Sequence, residues 1–371
     1  MAQEKDMYDY DPMDRFKRNA QAAARTTNHF VERFGFKVVD WSRGESAFLI
    51  ETPAGYLAFL VEGLGTKNLV ADAMYAIVKH LNSTGNRSFY DQIAQCNVAM
   101  QVNDMITLGA LPISLGQYVA TSDSDWFKDE ARCADLIEGT RKAAVMARCC
   151  WGPGETPALM GVIVPGATDL AGAAVGWIAD KSRVFNPEKI RDGDIIMVVE
   201  SLGINANHLT KARNIAAELK DGYMTKLSDG RTFGETLLDP THILVGFIED
   251  VMNAGVDIHY GVNVTGHGLR KLMRAEQSFT YVVERLPTLL PVFEFMQEKG
   301  NIVDYDAFGK MNMGVQLAAY VRPEAEGTVV RVADSHGLKA FAAGYVRKSD
   351  EKKVIIQPKN IVFKADTLQV R

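Results

Sequence analysis

Apolar and polar residues follow one another in blocks along this chain, and the blocks predict strands and helices. Short runs of strand-forming residues end in glycine-rich turns, and longer stretches follow in which apolar residues recur at helical spacing. The predicted strands lie at 46–51, 56–61, 111–121, 171–181, 195–199, 256–260, 315–320 and 339–346. The predicted helices lie at 70–81, 88–108 and 126–148, around 213, from 237 onwards and at 323–336. Most of the candidate chemistry lies in the turns that follow the strands.

The turn after the strand at 56–61 combines an acid, glycines, a hydroxyl and a lysine. Its residues are Glu62, Gly63, Leu64, Gly65, Thr66 and Lys67. Glycines let backbone N–H groups approach an anion closely, and lysine supplies a positive charge for phosphate. Glu62 could hold a divalent cation between the protein and phosphate oxygens. The spacing is not that of a P-loop, and a plain strand-to-helix turn would also use glycine, so the turn alone leaves both interpretations open.

A second acidic residue lies on the apolar face of the predicted helix at 88–108. Asp104 follows Met100 by four residues and Ile93 by eleven, and Asn103 lies beside it. A carboxylate on an apolar face is costly unless it is paired, hydrogen-bonded or bound to a metal. Asp104 is therefore a candidate metal or nucleotide ligand, and the alternative is an aspartate that caps a neighbouring loop.

Three further turns present polar side chains. Residues 151–157 place two glycines and two prolines around Glu155, which predicts a rigid turn that presents this acid. Asn205 and Asn207 precede the helix around 213, where they suit either a polar ligand or an N-cap. His267 lies between two glycines, a context that is less typical of a packed core histidine.

Composition narrows the class of protein. The 371 residues are enough for two domains, and 47% hydrophobic with 23% charged residues is typical of a globular protein. A net charge of −5 without a basic stripe argues against nucleic acid as a partner. No signal peptide and no membrane span is predicted. The four cysteines lack zinc-site spacing, which predicts reduced thiols and a cytoplasmic protein.

Seven of these segments, in this order, resemble motifs of the aminoimidazole ribonucleotide synthetase superfamily. The family's DGVGTK, VNDLxxxGAxP, GGETAEMP and SSGxHSNGxSLxR are similar to residues 62–67, 102–112, 152–160 and 201–213. Its LLxPTxIY, HITGGG and FNMG are similar to residues 237–243, 263–268 and 311–314. The resemblance covers about residues 57 to 346 and is most like the branch of phosphoribosylformylglycinamidine cyclo-ligase.

The chain also departs from the family pattern. Glu62 replaces the first aspartate, Asn263 replaces a histidine, and Asn205, Ala206, Asn207 and His208 replace the family's His-Ser-Asn-Gly. The glycine-rich GGFG segment is missing upstream. Despite these departures, the residues expected to bind the nucleotide are still consistent with that role. The identity of the second substrate is left open.

The resemblance implies two α/β domains with mixed sheets, each with helices packed on one face. It also implies a homodimer in which N-terminal strands of both subunits form a barrel. The expected boundaries are an extension at 1–45, an ATP-binding and dimerisation domain at 46–183, a second domain at 184–346 and an extension at 347–371. ATP and Mg²⁺ would bind in a cleft between subunits and domains.

The resemblance further implies roles for individual residues. Glu62, Asp104 and Glu155 would bind Mg²⁺, and Gly63, Gly65, Thr66, Lys67, Asn103 and Glu155 would bind the nucleotide. Asn205, Asn207, Arg213, Thr265 and His267 would bind the second substrate. Lys67, Asp104 and His267 would take part in catalysis, with His267 as a general acid or base.

The reaction implied is phosphoryl transfer to an amide-type oxygen, in which positioning and charge neutralisation dominate. In the cyclo-ligase, formylglycinamidine ribonucleotide becomes an iminophosphate, and ring closure gives aminoimidazole ribonucleotide. Two alternatives remain. One is a sibling enzyme, similar to formylglycinamidine ribonucleotide synthetase or selenophosphate synthetase, although the latter's early reactive cysteine has no counterpart before Cys96. The other is a non-catalytic nucleotide-binding scaffold.

Overall fold

The computed structural model describes residues 10–81 and 87–368, which form two mixed β-sheets with helices around them. The helices of the first half are α1 (Tyr10–Arg25), α2 (Lys67–His80), α3 (Tyr90–Ile106) and α4 (Glu130–Met146). Its strands are β1 (Lys37–Val38), β2 (Phe48–Thr52), β3 (Gly55–Gly63), β4 (Leu111–Thr121), β5 (Cys150–Glu155) and β6 (Thr168–Ile178).

The second half contributes the remaining elements. Its helices are α5 (Leu209–Glu218), α6 (Phe233–Leu237), α7 (Val245–Asn253), α8 (Pro291–Gly300), α9 (Asp304–Lys310) and α10 (Glu326–Ser335). Its strands are β7 (Ile195–Glu200), β8 (Tyr260–Asn263), β9 (Phe279–Val283), β10 (Val315–Val321), β11 (Ala340–Lys348), β12 (Lys353–Ile356) and β13 (Ile361–Lys364).

The first sheet has the order β1-β2-β3-β6-β4-β5, and only β4 and β5 are parallel neighbours. Side chains on β3 alternate between its two faces, as a pleated strand requires. Ala58 and Leu60 are buried in one core cluster with Val102 of α3, whereas Phe59 and Val61 are exposed on the opposite face. Glu62 follows Leu60 by two residues, so it continues the helix-covered face at the end of the strand.

The second sheet has the order β13-β12-β9-β11-β7-β10-β8, in which only β12 and β9 are parallel neighbours. All seven residues of β10 are buried, because both faces of this sheet are covered. Tyr320 packs against Tyr260 and Tyr281 on one face. On the other face Leu317 belongs to the same core cluster as Val329 of α10.

The two halves of the chain pack against each other through a shared apolar core. One core cluster joins Val70 and Ile93 of the first half to Phe233 and Leu237 of the second. As a consequence the ends of β3 and β8 and the C-terminal turn of α3 meet at the same place. That meeting point is where the polar residues of the sequence motifs collect.

Most of the predicted elements are confirmed, several of them closely. The strand predicted at 111–121 is β4 with the same bounds, and the helices predicted at 70–81 and 88–108 are α2 and α3. The four cysteines carry free thiols. Among the described helices, none combines the length and apolar character needed to cross a membrane.

Three predictions are wrong. Residues 150–155 form strand β5, parallel to β4, instead of the rigid turn expected around Glu155. The strand expected at 256–260 is displaced to Tyr260–Asn263, where β10 provides its hydrogen-bonding partner.

The third error is the helix expected from 237, since α6 ends there and α7 begins only at Val245. The carbonyls in between are taken by side chains of other elements. Gln95 donates to the Thr241 carbonyl at 2.9 Å, and Asn103 donates to the His242 carbonyl at 2.7 Å. These contacts replace the hydrogen bonds that a helix would have made.

Candidate active site

A cavity of about 430 Å³ lies where the ends of β3, α3 and β8 meet, and it is strongly polar. Several residues predicted from the sequence line it, namely Glu62, Gly63, Gly65, Asp104, Asn207, Thr265 and His267. Basic residues that were not predicted line it as well, namely Lys17, Lys271 and Arg274. The cavity therefore combines carboxylates, amides, a hydroxyl, an imidazole and cations in one cleft.

Glu62 and Asp104 form a pair of carboxyl groups in the lining of this cavity. Strand alternation brings Glu62 to the helix side of β3, and the four-residue step from Met100 brings Asp104 to the cavity side of α3. The two carboxyl groups lie close enough together for Asp104 to act directly on the charge of Glu62. Burial, and then repulsion from Asp104, raises the pKa of Glu62 to about 8. Asn263 donates to Asp104 Oδ1 at 2.6 Å and thereby fixes its orientation.

This pair fits a divalent cation. Two carboxyl groups in contact repel each other when both are ionised, and a cation between them relieves that repulsion. Mg²⁺ prefers oxygen ligands and is commonly held by one or two carboxylates together with substrate phosphates. Within 10–81 and 87–368, no group of three or more acidic, cysteine or histidine residues forms a complete protein cage. The donor set therefore suits a cation that is shared with a bound ligand.

Two basic residues line the cavity from the helical turn at Gly268–Met273 and just beyond it. Lys271 Nζ donates to the Asn263 carbonyl at 3.2 Å and to Thr265 Oγ1. Arg274 donates to the Gly44 carbonyl at 2.7 Å and lies 3.3 Å from Glu45 Oε2. Arg274 is thus paired with the carboxylate of Glu45, whereas the Lys271 ammonium donates to uncharged acceptors.

His267 lies in the glycine turn that follows β8 and also faces the cavity. Burial, together with the nearby cations Lys271 and Arg270, lowers the pKa of His267 to about 4. The imidazole is therefore neutral at pH 7. In that state the ring carries one N–H donor and one acceptor nitrogen.

Helix α1 also contributes to the cavity, although the sequence placed it in an extension without assigned chemistry. Lys17 and Gln21, one helical turn apart, both line the cavity. Asp14 on the same face is buried and lies close enough to His267 to oppose the lowering of its pKa. The N-terminal segment is thus part of the site.

The structure does not bring Lys67 to the cavity lining. Its ammonium is fully buried and donates to the Asp239 carbonyl at 2.6 Å, the Asn205 carbonyl at 2.9 Å and Cys96 Sγ at 3.2 Å. An ammonium has three N–H donors, so these contacts use all of them. Thr66 precedes it at the N-cap of α2 and is likewise absent from the lining.

Four other predicted residues also lie outside the lining. Asn103 is buried and holds the start of α7, because its Oδ1 accepts from the Leu244 N–H at 2.9 Å. Asn205 is buried in a left-handed conformation, with φ of 57°. Arg213 lies near Tyr223 instead. Glu155 is exposed at the end of β5.

The residues that sequence analysis missed had a weak local signal. Lys271 and Arg274 follow His267 by four and seven residues, which is the spacing of one helical face. A basic face directly after a glycine turn could have been noted. Glu45 had no such signal, since its role depends on Tyr260 and Arg274, which are distant in sequence.

Comparison with known proteins agrees with this architecture. The family model of the AIR synthase related protein N-terminal domain matches residues 44–178, and the model of the C-terminal domain matches residues 191–357. Phosphoribosylformylglycinamidine cyclo-ligase of Methanocaldococcus jannaschii is 31% identical over 298 residues, which is 80% of this chain and 79% of that relative.

Two solved structures share the fold. A chain of the HypE–HypF complex aligns with a TM-score of 0.58 at 17% identity, over 87% of this chain and 93% of that one. ThiL in complex with AMPPCP and TMP aligns with a TM-score of 0.56 at 16% identity, over 87% and 91%. At these identities the structures establish the fold alone. With both domain models matched in order, the chain belongs to the AIR synthase related protein family.

Proposed function

We propose that this protein is an ATP- and Mg²⁺-dependent enzyme that converts formylglycinamidine ribonucleotide to aminoimidazole ribonucleotide. The observation that carries the proposal is the close pair of carboxyl groups, Glu62 and Asp104, in a polar cavity between the two domains. The relatives named phosphoribosylformylglycinamidine cyclo-ligase support the choice of reaction. The ThiL structure, solved with the ATP analogue AMPPCP, supports the choice of nucleotide.

The carboxyl pair supports a binding position for phosphate groups beside it. A Mg²⁺ ion held by Glu62 and Asp104 would neutralise charge on the phosphate oxygens. Asn263 keeps Asp104 oriented through its 2.6 Å hydrogen bond. Gly65 has φ of 75°, and a Cβ there would meet only the Ala206 carbonyl, at 4.0 Å, so the turn leaves its backbone open to a ligand.

The other side of the cavity suits the second substrate. Asn207 Nδ2 is buried and has no hydrogen-bond partner among the described residues, so it can donate to a substrate oxygen. After phosphorylation of the amide-type oxygen, the internal amine attacks the same carbon, and phosphate leaves. The attacking amine loses a proton in that step, and neutral His267 can accept it.

We also propose a homodimer built on the open face of the first sheet. On that face Val61 pairs with Ala173 and Phe59 pairs with Val175, so apolar side chains continue across two strands. Val61 is 77% exposed and Phe59 is 40% exposed. A contiguous apolar sheet face of this kind is typical of a surface that a protein partner covers. A second copy of the chain is the partner that the family resemblance implies.

The test is turnover with ATP, Mg²⁺ and formylglycinamidine ribonucleotide, following ADP and aminoimidazole in parallel. The wild type should release ADP only when the ribonucleotide is present and should form aminoimidazole in equal amount. Asp104→Asn should lower turnover by at least about 100-fold, because it removes charge at the cation site. Glu138→Gln, which alters an exposed carboxylate on α4, serves as the matched control and should retain activity.

Other results would redirect the proposal. ADP release that depends on a different amide substrate would assign the chain to a sibling reaction of the family. Binding of ATP and Mg²⁺ without turnover on any amide would instead indicate a nucleotide-binding scaffold. Full activity of Asp104→Asn would refute the cation site itself.

A further inference from the structure

We propose that Lys271 is the residue that contacts the transferring phosphoryl group of the nucleotide. This inference rests on the proposed nucleotide function and assigns to Lys271 the cationic contact that the sequence motif places at Lys67. The contacts of Lys67 argue against that residue as the phosphate contact. Lys67 would have to abandon two backbone carbonyls, those of Asp239 and Asn205, to reach any ligand.

Lys271, by contrast, faces the cavity that holds the carboxyl pair. It lines the same space as Glu62 and Asp104, and its side chain is only 8% exposed. Its Nζ has two acceptors among the described residues, the Asn263 carbonyl and Thr265 Oγ1. An ammonium has three donors, so one N–H remains for a ligand. Both acceptors belong to the end of β8 and the turn after it, which fixes the lysine in place.

Among the described residues, none forms a direct ion pair with Lys271. Its two acceptors are a carbonyl and a hydroxyl, both neutral. Asp104 and Glu62 act on it through space, and they offset only part of the cost of burial. A buried charge without an oppositely charged contact carries a desolvation cost, which an anionic ligand beside it would offset. An anionic ligand between Lys271 and the carboxyl-bound cation would contact both.

Phosphoryl transfer needs a group of this kind. The substrate oxygen attacks the γ-phosphorus, the bond from that phosphorus to the bridging oxygen breaks, and ADP leaves with the electron pair. Negative charge lies on the non-bridging oxygens during the transfer, and fixed cations on both sides stabilise it. Lys271 supplies positive charge and one hydrogen bond and keeps its proton throughout.

Binding measurements test this assignment separately from turnover. The affinities of AMPPCP and ADP, each with Mg²⁺, are compared by calorimetry in the wild type and in Lys271→Met. A charge-assisted hydrogen bond is worth about 1.5–3 kcal/mol, which corresponds to roughly 10–100-fold in affinity. We therefore expect the wild type to prefer AMPPCP and the variant to lose at least about tenfold of that preference. Turnover should fall by about 100- to 1,000-fold.

Thermal unfolding distinguishes this role from a structural one. Lys271→Met loses two hydrogen bonds and also removes a desolvated charge, and because these effects oppose each other its midpoint should stay close to that of the wild type. Lys271→Gln is the second variant in case the methionine form does not fold, and Lys79→Met, on the exposed side of α2, is the control. An unchanged preference for AMPPCP in either folded variant would overturn the inference. So would an equal loss of both nucleotides accompanied by a lower midpoint.

Comparing the binding measurements with the turnover assay distinguishes a failure of the Lys271 contact from a failure of the proposed reaction. If the wild type forms no aminoimidazole but Lys271→Met still loses the preference for AMPPCP, the phosphoryl contact stands and only the reaction is reassigned. A wild type that binds neither nucleotide, or does not prefer AMPPCP, would refute the contact.

Discussion

Replacement of Lys67 by methionine should destabilise the protein, and the size of the effect follows from three contacts. Lys67 Nζ donates to two backbone carbonyls in the second half of the chain, at 2.6 and 2.9 Å, and to the Cys96 thiol of α3. The residue begins α2 in the first half, so its side chain joins the two domains. Methionine has a similar length and lacks the donors.

The expected loss is about 2–4 kcal/mol of unfolding free energy. Two hydrogen bonds from a charged donor are worth roughly 3–6 kcal/mol together, and the methionine form leaves both carbonyls without this donor. Removing a buried ammonium recovers part of that loss, because its desolvation cost disappears. Against a total stability of roughly 5–15 kcal/mol this is a large fraction.

Urea unfolding monitored by tryptophan fluorescence and circular dichroism would measure the effect. All four tryptophans lie before residue 180, so fluorescence reports on the first domain, and circular dichroism reports on both. Lys79→Met is the matched control, since Lys79 makes an exposed ion pair with Asp129 at 2.8 Å that is worth at most about 1 kcal/mol.

One result would refute this reasoning. If Lys67→Met retained the wild-type midpoint and lost affinity for AMPPCP, Lys67 would exchange its carbonyl contacts for phosphate, as the sequence motif predicts. A lower midpoint with nucleotide affinity retained in the folded fraction would establish the structural role.

Two further predictions concern pH and assembly. The pKa of His267 is about 4 in the folded protein and near 6.5 in the unfolded chain, so the unfolded state takes up a proton first as pH falls. Between pH 6.5 and 4, His267 should therefore lower the free energy of unfolding by up to about 3 kcal/mol. The His267→Gln variant should not show this loss of stability as pH falls. If the unfolding midpoints of the two proteins changed in parallel with pH, the prediction would be contradicted. Val61→Glu places a charge on the open face of the first sheet and should convert a dimer to monomer in sedimentation velocity, whereas Glu138→Gln should sediment as wild type. A Val61→Glu variant that sediments as wild type would place any interface elsewhere.

The sequence was sufficient for features that depend on local periodicity. Strand alternation from Leu60 to Glu62 and the helical step from Met100 to Asp104 both place a carboxylate on a buried face, and both carboxylates line the cavity. The period of a strand or helix is a property of the backbone, so it can be read without knowing what packs against that face. The same reasoning located His267 and Thr265 in a glycine turn next to the site.

Sequence reasoning failed where a side chain's partner came from a distant segment. The motif ending in Lys67 predicts a phosphate contact, yet the carbonyls that bind this lysine belong to residues more than 130 positions away. The expected helix from 237 failed for the same reason, since side chains of α3 take carbonyls of that segment. Neither outcome has a local signature.

The division between sequence and structure is clearest in the two lysines. Residue type and spacing determine that a lysine follows the glycine turn at 62–67 and that another follows the turn at 263–268. Only the packing of the two domains decides that Lys67 is held by carbonyls of the second half while Lys271 lines the cavity. The energy of a charged group depends on its surroundings, and those surroundings form only when both domains are in place.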